Sequence, residues 1–212
     1  MNILITGGEA SGKSEYAEKI AVEKAHSEGL ELIYIATLDK NSGGDTQKRI
    51  EKHRKMRKDK GFITIEQPKN LENIVLPKKN CVVLLEDLGN LCANEVFCNP
   101  ASAVAAERNS AHPNYASRGK KRSAAQEAAI LSASVPIFAD SLARKIAGSL
   151  EVIASQAAHF ITVSPDVFSG ADENDSTELH IFMQTFASAA ASWAEKCERV
   201  IQIVAGIPVS IK

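Results

Sequence analysis

Eight residues near the start of the chain, Gly7 to Ser14, have the types and the spacing to hold an anion. They read Gly-Gly-Glu-Ala-Ser-Gly-Lys-Ser, which matches the pattern Gly-x-x-x-x-Gly-Lys-Ser/Thr, where the backbone N–H groups of a glycine-rich turn point at phosphate oxygens. Lys13 would reach the β and γ phosphates of a nucleotide, and the Ser14 hydroxyl would complete the shell of a Mg²⁺ ion. The pattern predicts nucleotide contacts from Gly7, Gly8, Glu9, Ala10, Ser11, Gly12, Lys13 and Ser14.

The sequence on either side of this loop supplies the strand and the helix that such a loop requires. The apolar run from Asn2 to Thr6 is typical of a buried parallel strand. After Ser14, apolar and small residues recur at helical spacing among Glu and Lys residues. They are Tyr16, Ala17, Ile20, Ala21 and Ala25. This context favours a phosphate-binding loop over an accidental Lys-Ser pair after a glycine-rich turn.

A second candidate for chemistry is the basic segment, Gln47 to Lys58, with the sequence QKRIEKHRKMRK. His53 lies three residues after Ile50 and therefore on the same face of a helix. Neutral imidazole is a nucleophile toward phosphorus, and the neighbouring cations Lys52 and Arg54 would favour its neutral form and attract a polyphosphate. A solvated charged helix explains the same composition, and both interpretations stay open on these residues alone.

A third feature is an acidic strand end. The continuously apolar run from Cys81 to Leu85 is followed by Glu86 and Asp87. Such a run is typical of a central parallel strand, and the carboxyl ends of parallel strands form the edge at which open α/β sheets bind ligands. We therefore expect these two carboxylates at that edge.

The rest of the chain alternates between strand and helix. Further strands are predicted at 31–37, 62–66, 159–163, 200–204 and 208–211, and further helices at 45–58, 88–97, 123–153 and after residue 164. We expect the third of these helices to be interrupted near Pro136 and followed by a clearer helix with an apolar stripe of Leu142, Ile146, Leu150 and Ile153. The last helix would carry a stripe of Leu179, Met183, Phe186 and Trp193 along one side. The alternation predicts an α/β fold of the P-loop NTPase type. Its sheet would be doubly wound and mainly parallel, with a C-terminal antiparallel hairpin, in one domain (1–212) carrying a long loop insertion at 98–122.

Composition limits the classes of function. Hydrophobic residues make up 44% of the chain, which excludes wholesale disorder, and the net charge of −1 gives no general attraction for nucleic acid or anionic membranes. Without a membrane-length apolar run or a signal-peptide pattern, we expect a cytoplasmic protein with neither nucleic-acid nor membrane partners. The four cysteines lack zinc-site spacing, so we interpret them as buried or half-buried free thiols.

Five stretches of the sequence coincide with one family. They are ITGGEASGKSEYAEKI, LIYIATLD, RIEKHR, VVLLEDLGNLCANEVF and AGIPVSIK. Together they resemble the bifunctional adenosylcobinamide kinase and adenosylcobinamide-phosphate guanylyltransferase family of cobalamin biosynthesis. The likeness covers the first half of the chain and the last strand pair. The histidine-bearing basic segment and the Gly-Ile-x-Val-x-Ile-Lys ending are more particular to the family than the phosphate loop.

The resemblance implies a P-loop enzyme that uses ATP or GTP to phosphorylate the aminopropanol hydroxyl of adenosylcobinamide. The enzyme then transfers GMP from GTP to adenosylcobinamide phosphate through a histidine-linked intermediate. The motif RIEKHR places His53 at the guanylylated position, with Lys52 and Arg54 beside it as nucleotide-binding residues and Lys13 as the catalytic lysine of the loop. Family members are homo-oligomers, and the resemblance implies the same here.

The resemblance also implies a metal site and carries one departure. Glu86 matches the acidic residue at the end of the family's central strand and would order Mg²⁺ together with Ser14. In 163–186 the family has an Asn-Glu-Val-Gly segment and an arginine-rich helix, whereas this chain reads VSPDVFSGADENDSTELHIFMQTF. Two alternatives therefore stay open: a phospho- or nucleotidyltransferase acting on another acceptor, and a non-catalytic regulatory protein that binds GTP or ATP.

Overall fold

In the computed structural model, residues 1–39, 51, 55, 57–58, 60–76, 80–98, 124–166 and 176–212 are described, with the backbone alone for 124–134. The strands are β1 (Asn2–Gly7), β2 (Glu31–Ala36), β3 (Phe62–Glu66), β4 (Cys81–Glu86), β5 (His159–Pro165), β6 (Arg199–Val204) and β7 (Ile207–Ser210). The helices are α1 (Lys13–Glu28), α2 (Leu88–Phe97), α3 (Ala124–Gln156) and α4 (Thr177–Lys196), with a 3₁₀ turn at Leu71–Asn73.

Within the described residues the strands form one 7-stranded sheet in the order β3-β2-β4-β5-β1-β6-β7. Every neighbouring pair is parallel except β6 and β7, which form an antiparallel hairpin at one edge. The register pairs Gly7 with Pro165 on one side and with Ile203 on the other, and it pairs Ala36 with Glu86. The carboxyl ends of these strands therefore lie together on one side of the sheet, and the predicted fold class is confirmed.

Helices cover both faces of the sheet. On one face, Ala17, Ala21 and Ala25 of α1 pack on a buried core that includes Ile3, Ile5, Tyr34, Val82, Leu84 and Ile161. On the other face, α2, α3 and α4 pack together over a larger core. There Trp193 packs against Phe160 with 5.4 Å between ring centroids, and its indole N–H donates to Thr162 Oγ1 at 3.0 Å. This pairing lets α4 bury the only tryptophan without an unsatisfied donor.

Two helix predictions need correction. The helix α3 continues through Pro136, although we expected an interruption there. Pro136 is exposed, so the carbonyl that lacks an N–H partner can be hydrated, and the buried stripe that follows it secures the helix. That stripe is Leu142, Ile146, Leu150 and Ile153, as predicted.

In α4 the predicted stripe is only half right. Phe186 and Trp193 are buried, but Leu179 and Met183 are only partly covered. The buried face is completed instead by Ile181, Thr185 and Ala189. Apolar residues occur on several sides of this helix, so periodicity alone allowed more than one stripe.

The cysteine prediction was wrong at one position. Cys81, Cys92 and Cys197 are buried free thiols, but Cys98, just after α2, is exposed. The predicted loop insertion at 98–122 lies outside the described residues, apart from Cys98 itself. No helix within the described parts of the chain combines the length and the apolar character needed to cross a bilayer.

Candidate functional site

The glycine-rich loop connects β1 directly to α1. The strand ends at Gly7 and the helix begins at Lys13, with Gly12 as the N-cap residue at φ 90°. Ala10 also has a positive φ of 54°, and the Ser11 N–H donates to the Gly8 carbonyl at 3.3 Å. Left-handed residues between a strand and a helix turn the chain back on itself, so the loop and the start of α1 form a concavity of the kind in which proteins bind anions.

Residues from the far end of the sequence pack against this loop. A Cβ atom at Gly7 would lie 2.6 Å from Ser11 Oγ and 2.7 Å from the carbonyl oxygen of Ile203 in β6. The N–H of Gly206, in the turn between β6 and β7, donates to the Ser11 carbonyl at 3.0 Å. Gly7 is thus required by close backbone packing, and the loop is supported by the C-terminal hairpin.

The last two residues of the loop, Lys13 and Ser14, contact different partners. Lys13 Nζ donates to the Gly8 carbonyl at 3.1 Å, which holds its ammonium group over the loop. Ser14 Oγ donates to Glu86 Oε1 at 2.5 Å. Glu86 lies two residues after Leu84 in β4, so both side chains point to the face covered by α1. Of the predicted site residues, the structure therefore brings the loop, Lys13, Ser14 and Glu86 together.

The carboxylate of Glu86 is buried at this position. Its Oε2 accepts from the Tyr34 hydroxyl at 3.1 Å. Burial raises the pKa of Glu86, while the hydrogen bonds from Ser14 and Tyr34 act in the opposite direction. Burial, followed by the charge of Glu86, also raises the pKa of Tyr34 far above its usual range, so its phenol stays a donor.

The oxygen atoms of Ser14 and Glu86 fit Mg²⁺, which prefers hard oxygen ligands and keeps several waters or phosphate oxygens. Within the described ranges no group of three or more His, Cys, Asp and Glu residues could hold a metal by itself.

A hydrogen-bond network fixes the neighbouring strand ends. The Thr37 hydroxyl donates to the Asp87 carbonyl at 2.8 Å and accepts from the Asp87 N–H at 2.7 Å. Asn94 Nδ2 donates to the carbonyls of Thr37 and Pro68, at 2.7 and 3.0 Å. Asp87 caps α2 by accepting from the Asn90 N–H at 2.7 Å. Asp87 therefore caps α2, while Glu86 faces the loop.

Four side chains near Glu86 were missed by sequence reasoning. The Arg57 guanidinium lies 3.4 Å from the ring centroid of Tyr34, and Lys60 Nζ donates to Glu18 Oε2 at 2.5 Å. Glu18 and Arg57 are buried, with exposed fractions of 1% and 6%. The sequence did carry a signal for two of these side chains. Glu18 is a charged residue beside the small residues of α1 that begin with Ala17, and Tyr34 is a polar residue inside an apolar strand.

The basic segment is only partly described. Glu51, Lys55 and Arg57 are helical, in agreement with the predicted helix. Glu51, Lys55 and Lys58 are exposed, as a solvated helix would have them, whereas Arg57 is buried. The predicted site residues His53, Lys52 and Arg54 lie outside the described residues.

The comparisons with known proteins decide the family. The sequence model of the family described as CobU, cobinamide kinase / cobinamide phosphate guanyltransferase, matches residues 3–211. The chain belongs to this family. CobU membership implies kinase and guanyltransferase activity in cobalamin biosynthesis, with nucleotides and small molecules as substrates and with Mg²⁺.

Two solved structures resemble this CobU protein remotely. The flagellar accessory protein FlaH from Methanocaldococcus jannaschii has 11% identity and a TM-score of 0.45, over 100% of this chain and 77% of that one. A second solved structure, an ATPase domain, has 7% identity and a TM-score of 0.40, over 95% of this chain and 68% of that one. Such remote similarities say nothing about function. The chain has no match among curated proteins.

Proposed function

We propose that the protein phosphorylates adenosylcobinamide with ATP or GTP and then transfers GMP from GTP to adenosylcobinamide phosphate through a guanylylated His53. The observation that carries the proposal is the 2.5 Å contact between Ser14 and the buried Glu86 beside the phosphate-type loop. Together with the CobU match over residues 3–211, this contact supports phosphoryl chemistry rather than a glycine-rich turn without a ligand.

In the kinase step, the loop from Gly7 to Ser14 would bind the nucleotide phosphates through its backbone N–H groups. The substrate hydroxyl oxygen bonds to the γ-phosphorus and its proton passes to water, while the bond from that phosphorus to the β-phosphate oxygen breaks and the nucleoside diphosphate leaves. Lys13 neutralises charge on the transferring group. A bound Mg²⁺, held by Ser14 and Glu86 directly or through water, would neutralise the β and γ oxygens.

In the transfer step, a ring nitrogen of His53 bonds to the α-phosphorus of GTP, and pyrophosphate leaves. A phosphate oxygen of adenosylcobinamide phosphate then bonds to the same phosphorus, and the P–N bond breaks. Lys52 and Arg54 would attract the polyphosphate and favour neutral imidazole. We also propose that residues 1–212 act as one domain within a homo-oligomer.

The test is to incubate the protein with Mg²⁺ and GTP labelled at the α-phosphate, and to measure the label that stays on the denatured chain. GTP labelled at the γ-phosphate and ATP labelled at the α-phosphate serve as parallel samples. We expect label from α-labelled GTP alone, in an acid-labile and alkali-stable bond, because a phosphoramidate has this stability.

His53→Ala should abolish the label. The matched control is His26→Ala, because His26 is exposed on α1 and has no place in the proposed site. Label that persists in His53→Ala would remove this residue from the reaction. Label that forms on His53 but is not released by adenosylcobinamide phosphate would contradict the proposed acceptor.

A further inference from the structure

The side chain of Tyr34 contacts two parts of the site at once. Its hydroxyl donates to Glu86 Oε2 at 3.1 Å, and its ring face lies 3.4 Å from the Arg57 guanidinium. Tyr34 is 2% exposed, in the middle of β2. One buried side chain therefore connects the carboxylate beside Ser14 with the segment that carries His53.

A tyrosine at this position does more than fill the core. The other residues of β2 from Leu32 to Ile35 are aliphatic, and phenylalanine would fill the same space without a hydroxyl to desolvate. The ring is held from a second side by Phe62, whose ring meets it edge-on with 5.9 Å between centroids. The ring is therefore a fixed support for a cation, and the hydroxyl is aimed at Glu86.

The chain just after the basic segment makes a second contact nearby. Lys60, three residues after Arg57, pairs with the buried Glu18 of α1 at 2.5 Å. Arg57 Nε and Nη1 are buried and have no hydrogen-bond partner among the described residues. The ring of Tyr34 and the surrounding charges, rather than hydrogen bonds at these two atoms, therefore locate the guanidinium.

We propose that Tyr34 is a positioning residue that keeps the Glu86 carboxylate and the Arg57 guanidinium in a fixed relation. This inference rests on the proposed function, in which the nucleophile His53 precedes Arg57 by four residues and must be aligned with a nucleotide in the loop. The Tyr34 hydroxyl orients the Glu86 carboxylate toward Ser14, and its ring locates Arg57. In-line attack at phosphorus requires this alignment.

The two contacts of Tyr34 can be removed separately. Tyr34→Phe keeps the ring under Arg57 and removes the hydrogen bond to Glu86, whereas Arg57→Gln keeps that hydrogen bond and removes the cation. Thr162→Val is the control, because it also removes a buried hydrogen bond, that from Trp193, but on the opposite face of the sheet.

Two quantities are measured for each variant. One is the Mg²⁺ concentration that half-saturates binding of a fluorescent GTP analogue, and the other is the single-turnover rate of label transfer to the protein at saturating Mg²⁺ and GTP. Tyr34→Phe should raise the half-saturating Mg²⁺ concentration by about tenfold and leave the rate within about twofold. Arg57→Gln should leave the Mg²⁺ value within about twofold and lower the rate by about tenfold or more.

Thr162→Val should leave both quantities within about twofold while lowering the unfolding midpoint. If Tyr34→Phe and Arg57→Gln behave like Thr162→Val, the contacts only stabilise the fold and the proposal is overturned. If the wild-type protein takes no label, the proposed function fails. The Mg²⁺ titration then still decides whether Tyr34 orients Glu86.

Discussion

The packing around Gly7 leads to a prediction with a matched control in the next residue. A methyl group at Gly7 would lie 2.7 Å from the carbonyl oxygen of Ile203. That oxygen belongs to β6, which is paired with β1, so it cannot move aside without breaking the sheet register. A methyl group at Gly8 would meet no atom within 4 Å. The two substitutions therefore change the chain in the same way and differ only in the space available.

The expected change in the free energy of unfolding follows from two opposing contributions. Overpacking a tight site destabilises the folded state by about 1–3 kcal/mol. Replacing glycine by alanine also stabilises the protein by about 0.4–1 kcal/mol, because it reduces the conformational entropy of the unfolded chain. Gly7→Ala should therefore lower the free energy of unfolding by about 1–2 kcal/mol, which for a chain of this size is a fall of about 2–8 °C in the unfolding midpoint. Gly8→Ala should be neutral, or stabilising by up to about 1 kcal/mol, because Gly8 does not have a positive φ.

The assay is thermal unfolding without nucleotide, followed by the fluorescence of Trp193. This residue is the only tryptophan and is 1% exposed, so its emission reports the packed core. Equal unfolding midpoints for Gly7→Ala and Gly8→Ala would refute the argument, because they would mean that β6 does not confine the loop. Binding of a fluorescent GTP analogue by Gly7→Ala should also weaken.

Two further predictions concern titration and thiol reactivity. Because burial raises the pKa of Glu86 above its ordinary value of 4.5, this carboxyl stabilises the fold below pH 4.5, and the contribution is lost as pH rises through the folded-state pKa. Measured without Mg²⁺, wild-type stability should therefore fall relative to Glu86→Gln as pH rises from about 4 to about 7, and parallel profiles would contradict this assignment. A thiol reagent at about pH 8 should modify Cys98 rapidly in the native protein, because this thiol is exposed. The other three cysteines should react only in urea. Burial raises the pKa of Cys81, Cys92 and Cys197, the last to about 12. Rapid modification of Cys98→Ser would show that one of the buried thiols is accessible.

Features set by local sequence could be predicted, and those set by tertiary contacts could not. The loop from Gly7 to Ser14 and the acidic end of β4 depend on residue types at fixed spacing, so both were found, together with the parallel sheet. The continuation of α3 through Pro136 depends on packing further along the helix, which outweighs a local breaker. The stack of Arg57 on Tyr34 joins residues from two elements, and no periodicity reports such a contact.

The contact between Ser11 and Gly206 has a consequence for how the protein is made. The loop is synthesised before β6 and the turn that follows it, which supply the backbone that confines Gly7 and the N–H that binds the Ser11 carbonyl. A nascent chain that still lacks β6 has one of the two strands that flank β1 missing. We therefore expect nucleotide to bind with full strength only to chains that contain the hairpin, so that binding also reports that the sheet has closed around β1.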